Sequence, residues 1–256
     1  MIGTRHNSIG IKQVIPYEWM RKTASLVLAG LSSKEIRQEL HAALILDGKQ
    51  VQSGERSAWT RTFLVNNLMA IWSPPHSELL SFRDVACDLL HNYPEQAVAI
   101  HWAMISASYP FWFNTARQTG RLLNLQTQVT QAQIVNRLKE QYGDRQTVSR
   151  YGRFVVRSLV DWGALKDVQI NEKLTTGCYE KARPLVVADY DVAALLFHAA
   201  LLATPEGKAP LSVLLGSPAF FPFHLPALRG ENLLGRAACL KIVRYGLDDE
   251  LLTITA

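Results

Sequence analysis

The alternation of apolar and polar positions along this chain predicts a run of helices, then a short β-rich stretch, then mixed structure. Tyr17–Gly30 has a helical stripe closed by a glycine at a C-cap position. Ser32 with Glu35 forms a capping box ahead of the Ile36, Leu40 and Leu44 stripe, which ends at Asp47-Gly48. A polar loop over Lys49–Glu55 separates it from Ser57–Trp72, and Pro74-Pro75 stops that helix. Ser77–Tyr93 reads as helical, and Pro94-Glu95 opens the next helix in the favoured first turn. Phe111–Leu125 is again helical, with Arg117 and Arg121 expected on its exposed side. Met1–Ile15 has no such stripe and reads as a loosely held arm.

A second capping box, Thr130 with Gln133, precedes Ile134, Leu138 and Tyr142 at helical spacing, and Gly143-Asp144 supplies a turn. On a helical projection of Gln146–Trp162, Val148, Tyr151, Val155, Leu159 and Trp162 fall on one side. Arg150, Arg153 and Arg157 fall nearly opposite, with no acid among them. Gly163 suits the left-handed end of that helix. Leu165–Ile170 and Tyr179–Val187 read as strands joined by a tip around Thr175–Gly177, the pattern of a wing. Asp189 caps an apolar helix over Tyr190–Ala203. Seven Pro and Gly residues fall in Pro205–Arg229, which reads as mostly loop. Leu240–Tyr245 and Glu250–Thr255, around Leu247-Asp248-Asp249, read as a hairpin placed to extend the sheet of the wing.

The expected fold is therefore mainly α. A helical bundle over residues 1–125 precedes a winged helix-turn-helix with a small β-hairpin sheet and a C-terminal hairpin extension over residues 126–256.

Charge sharpens this picture. The whole chain carries a net charge of +5, and ten Lys/Arg against six acids between Arg137 and Arg183 account for +4 of it. Such concentration favours phosphate capture by counterion release, whereas evenly spread charge mainly aids solubility. Arg145, Gln146, Ser149, Arg150, Arg153 and Arg157 are the expected nucleic-acid contacts of the helix, with Thr147 beside them. Lys173, Lys181 and Arg183 are those of the wing. A hairpin kept soluble by its lysines is the plainer account of the last three.

Composition, 48% hydrophobic and 19% charged, is that of a globular chain. Three scattered cysteines argue for a reducing compartment and against a disulfide framework. No apolar leader begins the chain, so a cytoplasmic location is expected. Ala97–Phe113 holds 17 positions without a charge, short of a membrane span and interrupted at Pro110. It reads as a buried core helix, with no membrane partner.

Enzyme signatures such as GxxxxGK[ST], GxGxxG, HExxH and GxSxG are missing, so a non-enzymatic protein without cofactor is expected. Asp189 and Asp191 with His198 invite a metal, yet Asp-x-Asp before a helix is commonly an N-cap with a first-turn acid. No metal site is expected. His91 and His101, in apolar helices, read as core or rim residues.

The helical first half, the aromatic helix Trp102–Phe113, and then Gln131–Leu138 with Ser149, Arg157-x-Leu159 and Gly163 resemble the BrxA-like accessory DNA-binding proteins of BREX phage-defence systems. The resemblance covers about Tyr17–Leu165, and this chain extends beyond it over Val168–Ala256. It implies a bacterial, cytoplasmic, non-catalytic protein that binds double-stranded DNA alongside other proteins of a defence complex. A protein–protein adaptor using a winged helix as docking module is the alternative, with Phe220–Phe223 as its partner site.

Overall fold

The computed structural model describes residues 3–50, 57–170, 173–233, 235–236, 240–245 and 249–254. A mainly helical first half comprises α1 (Gly3–His6), α2 (Tyr17–Leu28), α3 (Ser33–Gln50), α4 (Ala58–Trp72), α5 (Leu80–Asn92), α6 (Ala97–Ser108) and α7 (Pro110–Leu125). The local signals act as expected. Gly30 sits at φ 78° beyond α2. Ser32 and Glu35 exchange hydrogen bonds, and the Ser57 hydroxyl accepts from the Thr60 amide to start α4. Ala97–Phe113 divides at Tyr109: α6 ends and Pro110 begins α7, since proline cannot donate within a helix but fits its first turn. Among the described residues, no helix is long and apolar enough to cross a membrane.

The second half comprises β1 (Gln128–Thr130), α8 (Gln131–Tyr142), α9 (Gln146–Asp161), β2 (Leu165–Ile170), β3 (Lys173–Lys181), β4 (Leu185–Val186) and α10 (Tyr190–Leu202). Then follow β5 (Lys208–Pro210), α11 (Leu211–Leu215), β6 (Phe223–His224), α12 (Gly230–Leu233), β7 (Leu240–Tyr245) and β8 (Asp249–Ile254). Strands β1, β3 and β2 form one antiparallel sheet in that order.

Four expectations change. The arm before α2 is held firmly: Ile11 and Ile15 are fully buried, and the Arg5 guanidinium donates to the carbonyls of Ala107 and Leu202. Thr175–Gly177 is not the hairpin tip. Ile170 faces Lys173, so the chain reverses between them. Thr175, Thr176 and Gly177 instead lie within β3, where the register shifts opposite Asp167–Gln169 and Gly177 takes φ 76°. The C-terminal hairpin does not extend that sheet. β8 pairs with β7 on one side and β5 on the other, making a separate three-stranded sheet; the turn expected at 247–248 lies outside the described residues. Finally, 205–229 is less a surface loop than a folded strap. Ala219, Phe220, Phe221 and Phe223 are buried, and β6 runs parallel to β4. Burial of these rings removes Phe220–Phe223 as an exposed partner site.

Apolar burial is continuous across residue 125. Trp102 of α6 meets the rings of Trp112, Trp162, Phe221 and Phe223 at 5.3–6.3 Å, all edge-on. One aromatic knot thus joins α6, α7, the end of α9 and the strap, and α10 packs along α6.

Two histidines sit within this core. His198 lies edge-on against Phe82 at 4.9 Å, and burial lowers its pKa to about 4. His101 lies between the rings of Tyr17 and Trp72, and burial, with help from the nearby Arg21 charge, lowers its pKa to about 3. Both are neutral when folded and titrate near 6.5 when unfolded, so the unfolded chain binds more protons as pH falls below 6.5. Stability is full above that pH and is lost on acidification. Between pH 6.5 and about 5.5 the cost should be about 1 kcal/mol from each histidine. Urea midpoints measured across that window check it, and His198→Phe should remove about half of the slope.

Candidate nucleic-acid interface

Thr130 starts α8 with a complete capping box: its hydroxyl accepts from the Gln133 amide, and the Gln133 side chain accepts from the Thr130 amide. Tyr142 ends the helix, and Gly143 at φ 84° turns the chain so that α9 begins three residues later. This left-handed conformation is one that glycine adopts at no steric cost. The two helices approach closely at Gly152, where a Cβ would meet the Leu138 side chain at 2.8 Å. A short glycine turn and a close approach at Gly152 thus hold α8 and α9 together.

Along α9 the two faces separate as the sequence predicts. Val148, Val155 and Leu159 are fully buried, while Arg150, Arg153 and Arg157 are exposed. Arg145, Gln146 and Thr147 are exposed at its start, and Ser149 is half-buried. The Arg145 guanidinium donates back to the Tyr142 carbonyl at 2.8 Å, which fixes it beside the turn. Arg150 lies over the Phe154 ring at 5.7 Å. Arg145, Arg150 and Arg153 have no carboxylate within 4.0 Å among the described residues.

Arg157 differs. One of its terminal nitrogens donates to both carboxylate oxygens of Asp167 on β2, at 2.8 and 3.1 Å. Burial works to lower its pKa, but the bonds to Asp167 and Tyr179 outweigh that and raise it. The buried Tyr179 hydroxyl also donates to the Gln131 side chain at 3.3 Å. Arg157 therefore ties α9 to the sheet, and its charge is locally balanced. Sequence reasoning missed Asp167, Tyr179 and Gln131, because ten to 48 positions separate the partners and no local spacing signals their meeting.

Much of the remaining basic excess is likewise balanced. Lys139 pairs with Asp144 at 2.8 Å, Arg137 with Glu140 at 3.1 Å, and Lys166 with Glu180 at 2.8 Å. Lys181 faces Leu165, just beyond the C-terminal end of α9, and Arg183 follows it. With 16 residues, α9 is about 24 Å long, so these two cations lie at the opposite end from Arg145 and Gln146. Lys181 lines a cleft with Asn124, Pro218 and Phe221 instead. Lys173 is at the reversal of the hairpin, paired in register with Ile170; its side chain lies outside the described residues. The nine predicted contact residues thus form no single patch. An N-terminal group on α9 (Arg145, Gln146, Ser149, Arg150, Arg153) is brought together; Arg157 follows one turn on but is held by Asp167, and Lys181 and Arg183 lie beyond the far end of the helix.

Arg117 is half-buried rather than exposed, and burial, followed by the Arg121 charge, lowers its pKa. Asp189 caps α10 through the Asp191 amide, Asp191 pairs with Arg236 at 3.0 Å, and His198 packs on Phe82. Among the described residues, no three His, Cys, Asp or Glu side chains gather as metal ligands. No known protein family, curated protein or solved structure matches this chain.

Proposed function

We propose that residues 110–181 are a winged helix-turn-helix and that α9 captures double-stranded DNA, without catalysing a reaction. The element order supports this reading: helix, strand, helix, glycine turn, helix, then a hairpin whose second strand pairs with the first strand of the unit. The observation that carries it is the group Arg145, Arg150 and Arg153, exposed on the second helix of the pair and at its start, with no carboxylate within 4.0 Å among the described residues. Guanidiniums so placed attract phosphate, and Gln146, Thr147 and Ser149 at the helix start supply hydrogen-bonding groups of the kind used for bases or phosphate. Lys173 at the hairpin reversal is the wing contact; Lys181 and Arg183 extend the charge to the far end of α9. The likeness to BREX accessory proteins supports a place in a bacterial phage-defence complex in the cytoplasm.

A fluorescence-anisotropy titration with random-sequence duplex DNA tests this. Binding should weaken steeply with salt, and Arg145→Ala/Arg150→Ala/Arg153→Ala should reduce affinity at low salt by at least about tenfold. Its log–log salt slope should fall by about two to three units, close to one for each phosphate that is no longer neutralised. Arg157→Ala should change affinity less than the triple variant does, because Asp167 already occupies that guanidinium. Unaltered binding by a folded triple variant would overturn the reading.

A further inference from the structure

A cleft of about 530 Å³ opens between α2 and the N-terminal end of α6, away from the arginine group of α9. Its walls carry Glu18, Arg21, Lys22 and Ser25 from α2, Pro94 from the turn before α6, and Ala97 at the start of α6. His101, one turn into α6, lines it and is 2% exposed. Three features of this cleft do not follow from packing alone.

The first is His101 itself. Its ring stands edge-on to Tyr17 at 5.6 Å and to Trp72 at 5.4 Å, a position a phenylalanine could fill. A histidine there carries polar nitrogens into the core, and its Nδ1 is buried without a hydrogen-bond partner. Buried polar groups are nearly always satisfied, so a residue that lines the cleft and carries an unpartnered ring nitrogen has hydrogen-bonding capacity to spare. The second is charge. Arg21 and Lys22 have no carboxylate within 4.0 Å among the described residues, although Glu18 lies one turn earlier on the same helix. The field of Arg21 is felt at both the Tyr17 hydroxyl and the His101 ring. The third is orientation. The cleft meets the N-terminal end of α6, where the helix dipole adds positive potential.

We propose that this cleft binds a small organic anion, its carboxylate or phosphate held by Arg21 and Lys22 and a neutral polar group of its body hydrogen-bonded to His101. Two cations and a helix start select negative charge at the mouth. A histidine that burial keeps neutral selects a donor or acceptor at the floor, since a charged ligand group there would be costly to desolvate. The volume accommodates a molecule of several carbons. The inference stands apart from the DNA reading, because none of its residues belongs to α9 or the hairpin.

The test uses the full chain with glycerol 3-phosphate and glycerate, which share a hydroxylated body and differ in the anionic group. The readout is the imidazole nitrogen resonances in long-range ¹H–¹⁵N spectra, with those of His101 assigned by their loss in His101→Phe. Those resonances should shift saturably with at least one probe. A response to glycerol 3-phosphate alone identifies a phosphate ester as the ligand class, and a response to glycerate alone identifies a carboxylate. Arg21→Ala/Lys22→Ala, at one exposed and one half-buried position of α2, should leave the chain folded and weaken the apparent affinity at least about tenfold. No saturable shift with either probe would overturn the proposal. So would a folded double variant that binds as tightly as the natural chain.

Discussion

Replacing Trp102 by alanine should remove about 3–5 kcal/mol of folding stability, the range for a large aromatic lost from a core. A domain has only about 5–15 kcal/mol in total, so this single change should bring the chain close to unfolding. The reason is position. Trp102 is fully buried and, among the described residues, is the ring that touches α7, the end of α9 and the strap together. Its removal opens a cavity bounded by four other rings, and rings held by different elements cannot collapse into it in concert. Trp102→Phe should cost much less, because the indole Nε1 makes no hydrogen bond and only part of the ring volume is lost. Urea unfolding followed by circular dichroism measures both. Equal losses for the two variants would show that shape at this position matters little and that the knot is not the centre of the core.

The local grammar of the chain is legible in its sequence. Capping boxes at Ser32 and Thr130, the glycines at 30, 143 and 163, and the break at Pro110 each act over four residues or fewer, so a linear reading captures them. The two faces of α9 are legible for the same reason, since helical periodicity is a local property. Long-range pairing is not. Asp167 meeting Arg157 depends on the register of β2 against β3, and a three-residue irregularity there also moves the hairpin tip away from Thr175–Gly177. The basic excess between Arg137 and Arg183 overstates the free charge, because Arg137, Lys139, Arg157 and Lys166 all find acids. Lys181 and Arg183 follow the C-terminal end of α9, a placement fixed by strand pairing rather than by any spacing. The cleft at His101 leaves no mark in the sequence, where that histidine is one polar position in a charge-free run and Arg21 and Lys22 lie about 80 residues earlier.

The arm before α2 is the least legible element, and it yields the second large effect. Ile15→Ala should cost about 2–5 kcal/mol, the range for an aliphatic side chain lost from a close-packed site. Ile15→Asp should cost more, because an unpaired charge would be placed where no water reaches. The side chain is fully buried, and its backbone is tied at both ends: the Ile15 amide donates to the Ser158 hydroxyl at 2.9 Å, and its carbonyl accepts from the Trp162 indole at 2.8 Å. Two residues on, the Tyr17 amide donates to Asp161 at 2.7 Å. These bonds reach the last turn of α9 and the aromatic knot, so the arm cannot lift away without leaving a buried indole N–H unsatisfied. Loss of the arm should therefore be coupled to global unfolding. In Ile15→Asp the urea midpoint should fall together with a rise in tryptic cleavage after Arg5 and Lys12. Rapid cleavage at those sites with an unchanged urea midpoint would instead mean that the arm detaches alone, and that the core closes over Trp162 without it.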